Sequence, residues 1–344
     1  YDWVKTAIRY VAFENGMEGI IPRDAELVCS KKYGDCKDMS NLQVALLKSI
    51  DIPAYLVWVG TRSIPYTYSD VPLKNTDNHM IAAIQDNNEW IFLDATDPNG
   101  IFGLPTEHIQ GKQAMVYLDN EHYTLVDIPV ISYTVNTIKD TFYLDIQKNN
   151  AVVQSTISFA GLLAGNMANQ TFYKSVREKE EYAKSFIKQY SNNAILQTND
   201  MNFAPESNQF HLHNTFTLKE YAREVDNELY CNLFLSKHFT NTRISDENRV
   251  VPMSFKYNIQ HQTTYILSLP QGYHVEYLPE NSSYKHEHFN YSIRIEQLAN
   301  KIVCTQHIAT NFPNLLLQKK DFTAWNTFVG KLQKAYKESI ILQK

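Results

Sequence analysis

The stretch from Gly34 to Pro53 commits the first third of the chain to a helix packed on a sheet. Met39, Leu42, Leu46, Leu47 and Ile50 recur at helical spacing, and Asp35 stands where it can cap the first turn. Asp51-Ile52-Pro53 ends the helix, because proline has no N–H to give and disfavours helical backbone before it. The pattern then changes to short apolar runs. Residues 54–59, 79–85 and 89–95 read as strands, the last two closing around Asp86-Asn87-Asn88. Residues 60–78, with Pro65 and Pro72, read as a long loop between the first strand and the second.

Further along, the texture becomes β-rich. Residues 142–146 and 152–159 flank an Asn149-Asn150 turn as a hairpin, and a helix is expected over residues 168–190. Strand-like runs follow at 210–218, 229–235, 263–269, 292–296 and 302–308. A closing amphipathic helix carries Phe322, Trp325, Val329, Leu332 and Tyr336 on one face, with Asp321 at its cap position. There are 22 tyrosines against 4 tryptophans, and they cluster with Thr, Val and Ile in this part, a bias toward strands. The fold class is therefore α+β. The expected division is a mixed α/β domain over residues 1–128 and a β-rich, sandwich-like domain with accessory helices over 129–344.

A chain of 344 residues is long enough for two such domains. Its 44% hydrophobic and 20% charged residues place it with globular proteins and not with disordered ones. A net charge of -5 gives no electrostatic case for nucleic acid or an anionic membrane surface. The longest uncharged stretch, 149–173, is interrupted by Gln, Ser, Asn and Gly and is a poor bilayer span. Four cysteines (Cys29, Cys36, Cys231, Cys304) make no disulfide framework and no C-x-x-C pair, although spacing alone would permit a Cys29–Cys36 bridge. The chain opens abruptly in a helical pattern over residues 1–10, so an N-terminal truncation or processing point is expected.

The chemistry converges on Cys36. Gly34-Asp35 turns the chain into the helix and puts Cys36 at its first turn, where unpaired N–H groups and the positive end of the helix dipole favour an ionised sulfur. Lys37 adds positive charge there, partly opposed by Asp35 and Asp38. On position alone, a buried inert cysteine is an equally good reading. His79 opens one strand and Asp94 closes the next. A turn centred between Asp86 and Asn87 would set these two directly opposite, with Cβ atoms about 4.5–5.5 Å apart. Ile81–Phe92 and Ala83–Trp90 would then form an apolar face able to pack on the cysteine helix. Separately, His79 reads as a strand histidine and Asp94 as a strand-end cap. Together, with Cys36 as nucleophile, His79 as base and Asp94 as its orienting carboxylate, they read as a catalytic triad.

The segments Tyr33-Gly-Asp-Cys-Lys-Asp38, Leu46-Leu-Lys-Ser-Ile-Asp-Ile-Pro53, Asp77-Asn-His-Met-Ile81 and Trp90-Ile-Phe-Leu-Asp-Ala-Thr-Asp-Pro98 resemble, in order and spacing, the core of the bacterial transglutaminase-like superfamily. The resemblance covers roughly residues 1–128. It implies a papain-like α+β fold, with the nucleophile on a helix packed against an antiparallel sheet carrying His79 and Asp94. Arg249-Val-Val-Pro252, Leu269-Pro-Gln-Gly-Tyr273 and the closing helix look like the β-rich domain that follows this core in Gram-negative cell-envelope proteins. A further β-domain usually precedes the core in that group. A periplasmic or envelope location, and a protein or peptide substrate, are what the resemblance implies. Related enzymes use an upstream side chain as a second oxyanion donor, for which Tyr10 and Tyr33 are candidates, Tyr10 the preferred one.

Other signals carry less. His211 and His213 alternate on one strand and His286 and His288 flank Glu287, but neither pair has a third ligand at suitable spacing. No Asp-x-Asp-x-Asp-Gly calcium loop and no Gly-rich phosphate loop occurs, so no metal and no cofactor is expected. Trp58, Tyr66 and Tyr68 are candidate cleft residues. Two functional classes follow. One is a cysteine hydrolase or acyltransferase working on an amide or peptide bond through a thioester. The other is a catalytically silent module of the same fold that binds protein or glycan.

Overall fold

The computed structural model describes residues 1–12, 19–73, 76–171, 174–246 and 248–344. The chain divides into two compact units. One comprises Tyr1–Ile131 with Pro313–Leu315, the other Ser132–Phe312 with Leu316–Lys344.

The first unit begins with α1 (Asp2–Ala7), which is shorter than the expected helix over 1–10, because β1 (Arg9–Tyr10) follows and pairs in parallel with β2 (Tyr33–Gly34). Between them lies α2 (Ala25–Lys31), and β2 leads directly into α3 (Cys36–Lys48). Asp35 caps α3 as anticipated. Its carboxylate accepts from the Asp38 N–H at 3.1 Å, and Asp38 accepts from the Asp35 N–H at 3.2 Å, a reciprocal capping box. A Cβ at Gly34 would lie 2.7 Å from that of Asp38, so the residue before the cap has to lack a side chain. The buried stripe of α3 is Met39, Leu42 and Val44, whereas Leu46 and Ile50, counted on the apolar face from spacing, are exposed.

The sheet of this unit has five antiparallel strands in the order β5 (Glu89–Leu93), β4 (His79–Asp86), β3 (Ala54–Val59), β6 (Gln113–Tyr117), β7 (Tyr123–Asp127). β4 is buried on both faces over its first five residues. On one face, Ala82 and Leu93 pack with Val44 of α3. On the other, Ile81, Ala83 and Phe92 pack with Ile109, Val116 and Ile128. The expectation that the Ile81–Phe92 face lies under the cysteine helix is therefore corrected: alternation along β4 gives the helix the other face.

The second unit is built on an eight-stranded sheet. Its strands are β8 (Thr137–Gln147), β9 (Asn150–Ala160), β10 (Ala194–Ala204), β11 (Gln209–Leu218), β15 (Ile259–Ser268), β17 (Ser282–Lys285), β18 (Phe289–Leu298) and β19 (Lys301–Thr310). They lie in the order β10-β11-β9-β8-β15-β19-β18-β17, with only the β8–β15 pair parallel. A four-stranded sheet takes β12 (Ala222–Val225), β13 (Glu228–Cys231), β16 (His274–Tyr277) and β21 (Ile340–Gln343), and β14 (Met253–Ser254) pairs with β20 (Leu316–Leu317). Strict alternation along β8, β9, β11, β15 and β19 buries one face of the large sheet.

That face meets α6 (Phe322–Ala335), whose Trp325, Val329 and Leu332 are wholly buried, as the spacing indicated, together with Phe328. Asp321 precedes the helix but makes no side-chain cap, because a 3-10 turn over Lys319–Asp321 leads in. The expected helix over 168–190 is two, α4 (Leu162–Thr171) and α5 (Val176–Lys188). Ser175 and Glu178 form a capping box that starts the second one afresh.

Candidate active site

Three elements of the first unit deliver three side chains to one end of its sheet. Cys36 is the first residue of α3, His79 the first of β4, and Asp94 follows the last residue of β5. The Ser40 hydroxyl, one turn into the helix, bridges the carbonyls of Cys36 (2.6 Å) and Met80 (3.0 Å), fastening the start of the helix to the start of the strand. His79 Nε2 lies 3.0 Å from Asp94 Oδ2, and Cys36 lines the same cleft, near enough to act on the imidazole.

The register that makes this contact differs from the expected one. The ladder pairs Ala82 with Leu93, Ala83 with Phe92 and Gln85 with Trp90. The turn is Asn87-Asn88, both in the left-handed region at φ 48° and 66°, which is the backbone of a two-residue hairpin loop. Relative to a turn centred one residue earlier, every pairing moves by two. A shift of two keeps His79 and Asp94 on one face, where a shift of one would have separated them. The two side chains meet diagonally and not straight across.

Asp94 is buried, and its oxygens are well supplied with donors. Oδ2 also accepts from Thr106 Oγ1 at 2.9 Å, and Oδ1 from the Thr96 N–H at 3.1 Å and its Oγ1 at 2.6 Å. His108 Nε2 stands 3.5 Å from Oδ2, and the His79 and His108 rings meet edge to face at 5.1 Å. Burial pushes the Asp94 carboxyl up, but the charge and hydrogen bond of His79, with His108 and Thr96, hold it well below the usual carboxylate range. Burial likewise pulls His79 down. The Asp94 charge and hydrogen bond, then the nearby Cys36, outweigh it and push the imidazole up to about 10. His108 goes the other way, lowered first by its own burial. His79, Asp94 and His108 also lie close enough together to hold a metal ion. The Asp94 oxygens and Nε2 of His79 already have partners within the chain, which suits a relay better.

Two charged groups beside the cysteine are neutralised. Lys37 is buried on the Asp35 carboxylate, which opposes its charge as the sequence indicated. Asp38, 1% exposed, takes the Arg23 Nη2 at 2.7 Å, Nε at 3.0 Å and backbone N–H at 2.8 Å. Arg23→Ala leaves that carboxylate buried without its cation, and a cost of about 3 kcal/mol is expected. Urea denaturation of the variant checks it, with a lower midpoint at unchanged slope as the expected result.

A cleft of about 490 Å³ opens beside these groups, lined by Tyr10, Ala12, Gly19, Ile20, Asp35, Cys36, Lys37, Trp58, Asp77, Asn78, His79, Met80 and Met115. Tyr10 reaches it because β1 pairs with β2, setting Tyr10 level with Gly34. Tyr33 is covered by the Arg23 guanidinium. Trp58 lines the cleft as expected; Tyr68 is buried with its hydroxyl on Asp77 at 2.8 Å, and the Tyr66 carbonyl accepts from Lys112 Nζ. Among the described residues all four cysteines are free thiols, so no Cys29–Cys36 bridge forms. Sequence reasoning missed Ser40, Thr96, Thr106 and His108. Thr96 had a signal in the Asp94-Ala95-Thr96 turn, whereas Thr106 and His108 arrive by a loop with none.

Fold and site together define a transglutaminase-like core. Residues 1–95 match the Transglutaminase-like superfamily, and residues 227–342 match a domain of unknown function with solved structure (DUF3858). No curated protein matches the chain. Among solved structures, the chain is similar over its whole length to one titled a "putative protease" from Parabacteroides distasonis, with a TM-score of 0.53 and 10% identity. It spans 50% of that protein, and at this identity the likeness is one of fold alone. The chain thus carries a transglutaminase-like core at its N-terminus, followed by a β-rich region.

Proposed function

We propose that the cleft catalyses acyl transfer on an amide or peptide bond, with Cys36 as nucleophile, His79 as acid and base, and Asp94 as the carboxylate that orients the imidazole. The observation that carries this reading is the buried His79 ring, held on Asp94 at 3.0 Å and lining one cleft with Cys36. The thiolate, paired with the imidazolium, attacks the carbonyl carbon and forms a C–S bond. Negative charge gathers on the carbonyl oxygen, toward the start of α3, with Tyr10 assigned as the side-chain donor. Collapse breaks the C–N bond; the departing amine takes the proton from His79, and a thioester remains on Cys36. Water or a second amine then adds, giving its proton to His79, and the sulfur leaves.

A protein or peptide substrate fits a cleft of this size beside Trp58 and Met115, and the envelope location implied by the resemblance belongs to the same proposal. The test is to trap the thioester. Incubation with denatured casein and rapid acid quench is expected to yield a chain whose added mass maps to Cys36, is released by hydroxylamine, and is missing in Cys36→Ala. Equal added mass on wild type and Cys36→Ala would leave the silent binding module as the better reading.

A further inference from the structure

We propose that Asp140, His238 and His261 of the second unit form a binding site for one divalent transition-metal ion of the Zn²⁺ class. Asp140 projects from β8 and His261 from β15, adjacent parallel strands whose register sets Asp140 level with Thr263, so that both side chains share the buried face. His238, from the segment after β13, is brought over them, its ring centroid 4.0 Å from that of His261. One ligand atom from each residue lies within 4.8 Å of the others. Two imidazoles and a carboxylate are a donor set that Zn²⁺ and its neighbours take.

The hydrogen bonding around the cluster is what points to a ligand. Asp140 and His261 are 5% and 3% exposed, in a layer that sets Phe142, Leu144, Tyr265 and Leu267 beside the buried polar Thr263 and Gln306. His261 Nε2 and Asp140 Oδ2 meet at 2.7 Å, yet Asp140 Oδ1, His261 Nδ1 and Thr263 Oγ1 are buried with no hydrogen-bond partner. Buried polar atoms in a native protein are almost always satisfied, so several orphans at one place call for a missing partner. Asp140 Oδ2 and His261 Nε2 face each other at 2.7 Å, so an ion held by both residues would sit between these two atoms in place of the proton they share. Ser236 Oγ holds His238 Nε2 at 2.7 Å, which fixes that ring and leaves its Nδ1 for the ion. A purely apolar layer would need none of this.

The full chain, stripped with chelator and titrated with Co²⁺ and then Zn²⁺, is expected to bind one ion with visible d–d absorption, and Zn²⁺ should raise its unfolding temperature. His238→Ala is the informative variant, because Asp140 and His261 stand in strand interiors while His238 lies outside the sheet. It should remain folded, weaken binding about 100-fold or more and lose the thermal shift. His79→Ala, which removes the cluster in the first unit, should leave both signals intact. Absence of binding, meaning that only water fills the site, overturns the proposal. So does binding unchanged in His238→Ala or abolished in His79→Ala.

Discussion

Replacing Cys36 with alanine is expected to reduce any acyl-transfer activity of the chain to the uncatalysed background, a loss of at least about 10⁴-fold. The variant should fold normally, because the cap of α3 rests on Asp35 and Asp38 and its first turn is fastened by Ser40 through backbone carbonyls, none of which needs the sulfur. Alkylation gives a readout independent of substrate. Iodoacetamide should label Cys36 fastest in the wild type. Cys231 and Cys304 are buried, and burial raises each thiol to about 12, so they should stay unlabelled in the folded chain. His79→Ala should keep the fold yet slow labelling of Cys36 by an order of magnitude or more near neutral pH. Labelling of Cys36 at an unchanged rate in His79→Ala would sink the ion-pair reading, whatever the substrate turns out to be.

That experiment is legible from the sequence because the pieces that carry it are local. Gly34-Asp35-Cys36 sits at a helix start that capping rules can find, and the apolar run over residues 54–59 is the strand that forms. The register between His79 and Asp94 was harder. Asp86-Asn87-Asn88 offers two adjacent positions for a two-residue loop, and propensity alone does not separate them. The left-handed backbone at both Asn87 and Asn88 settles it. The error left the site intact only because strand periodicity forgives an even shift. Spacing could not find what the fold brings from a distance. Thr106 and His108 reach Asp94 through a loop, and Asp140, His238 and His261 converge from two strands and the segment after β13, with no local period to announce them.

Asp94→Asn is expected to be the next most damaging change, lowering turnover by about 10²–10⁴-fold while moving its pH profile. In the wild type His79 holds its proton up to about pH 10, so the alkaline limb of acylation, which needs that proton for the departing amine, should lie near there. Without the carboxylate the largest raising influence is gone and burial, which lowers the imidazole, remains. The limb should then fall from near 10 toward the ordinary histidine range, with Cys36 the remaining raising influence.

Stability follows the same signs. His79 is raised in the folded state, so its contribution is complete below the unfolded value of 6.5 and is lost as pH rises through about 10. Asp94 is depressed, so its contribution is present above the ordinary value of 3.8 and is lost as pH falls through the folded one. Denaturation of wild type against Asp94→Asn should therefore show the greatest difference between those limits, narrowing toward strong acid and above pH 10. Thr106→Val separates orientation from charge: it removes one donor to Oδ2 and keeps the carboxylate, so it should lower turnover while leaving the alkaline limb near 10. An Asp94→Asn profile with its limb still near pH 10 would mean that some other group holds the proton on His79, and the relay would have to be redrawn around that group.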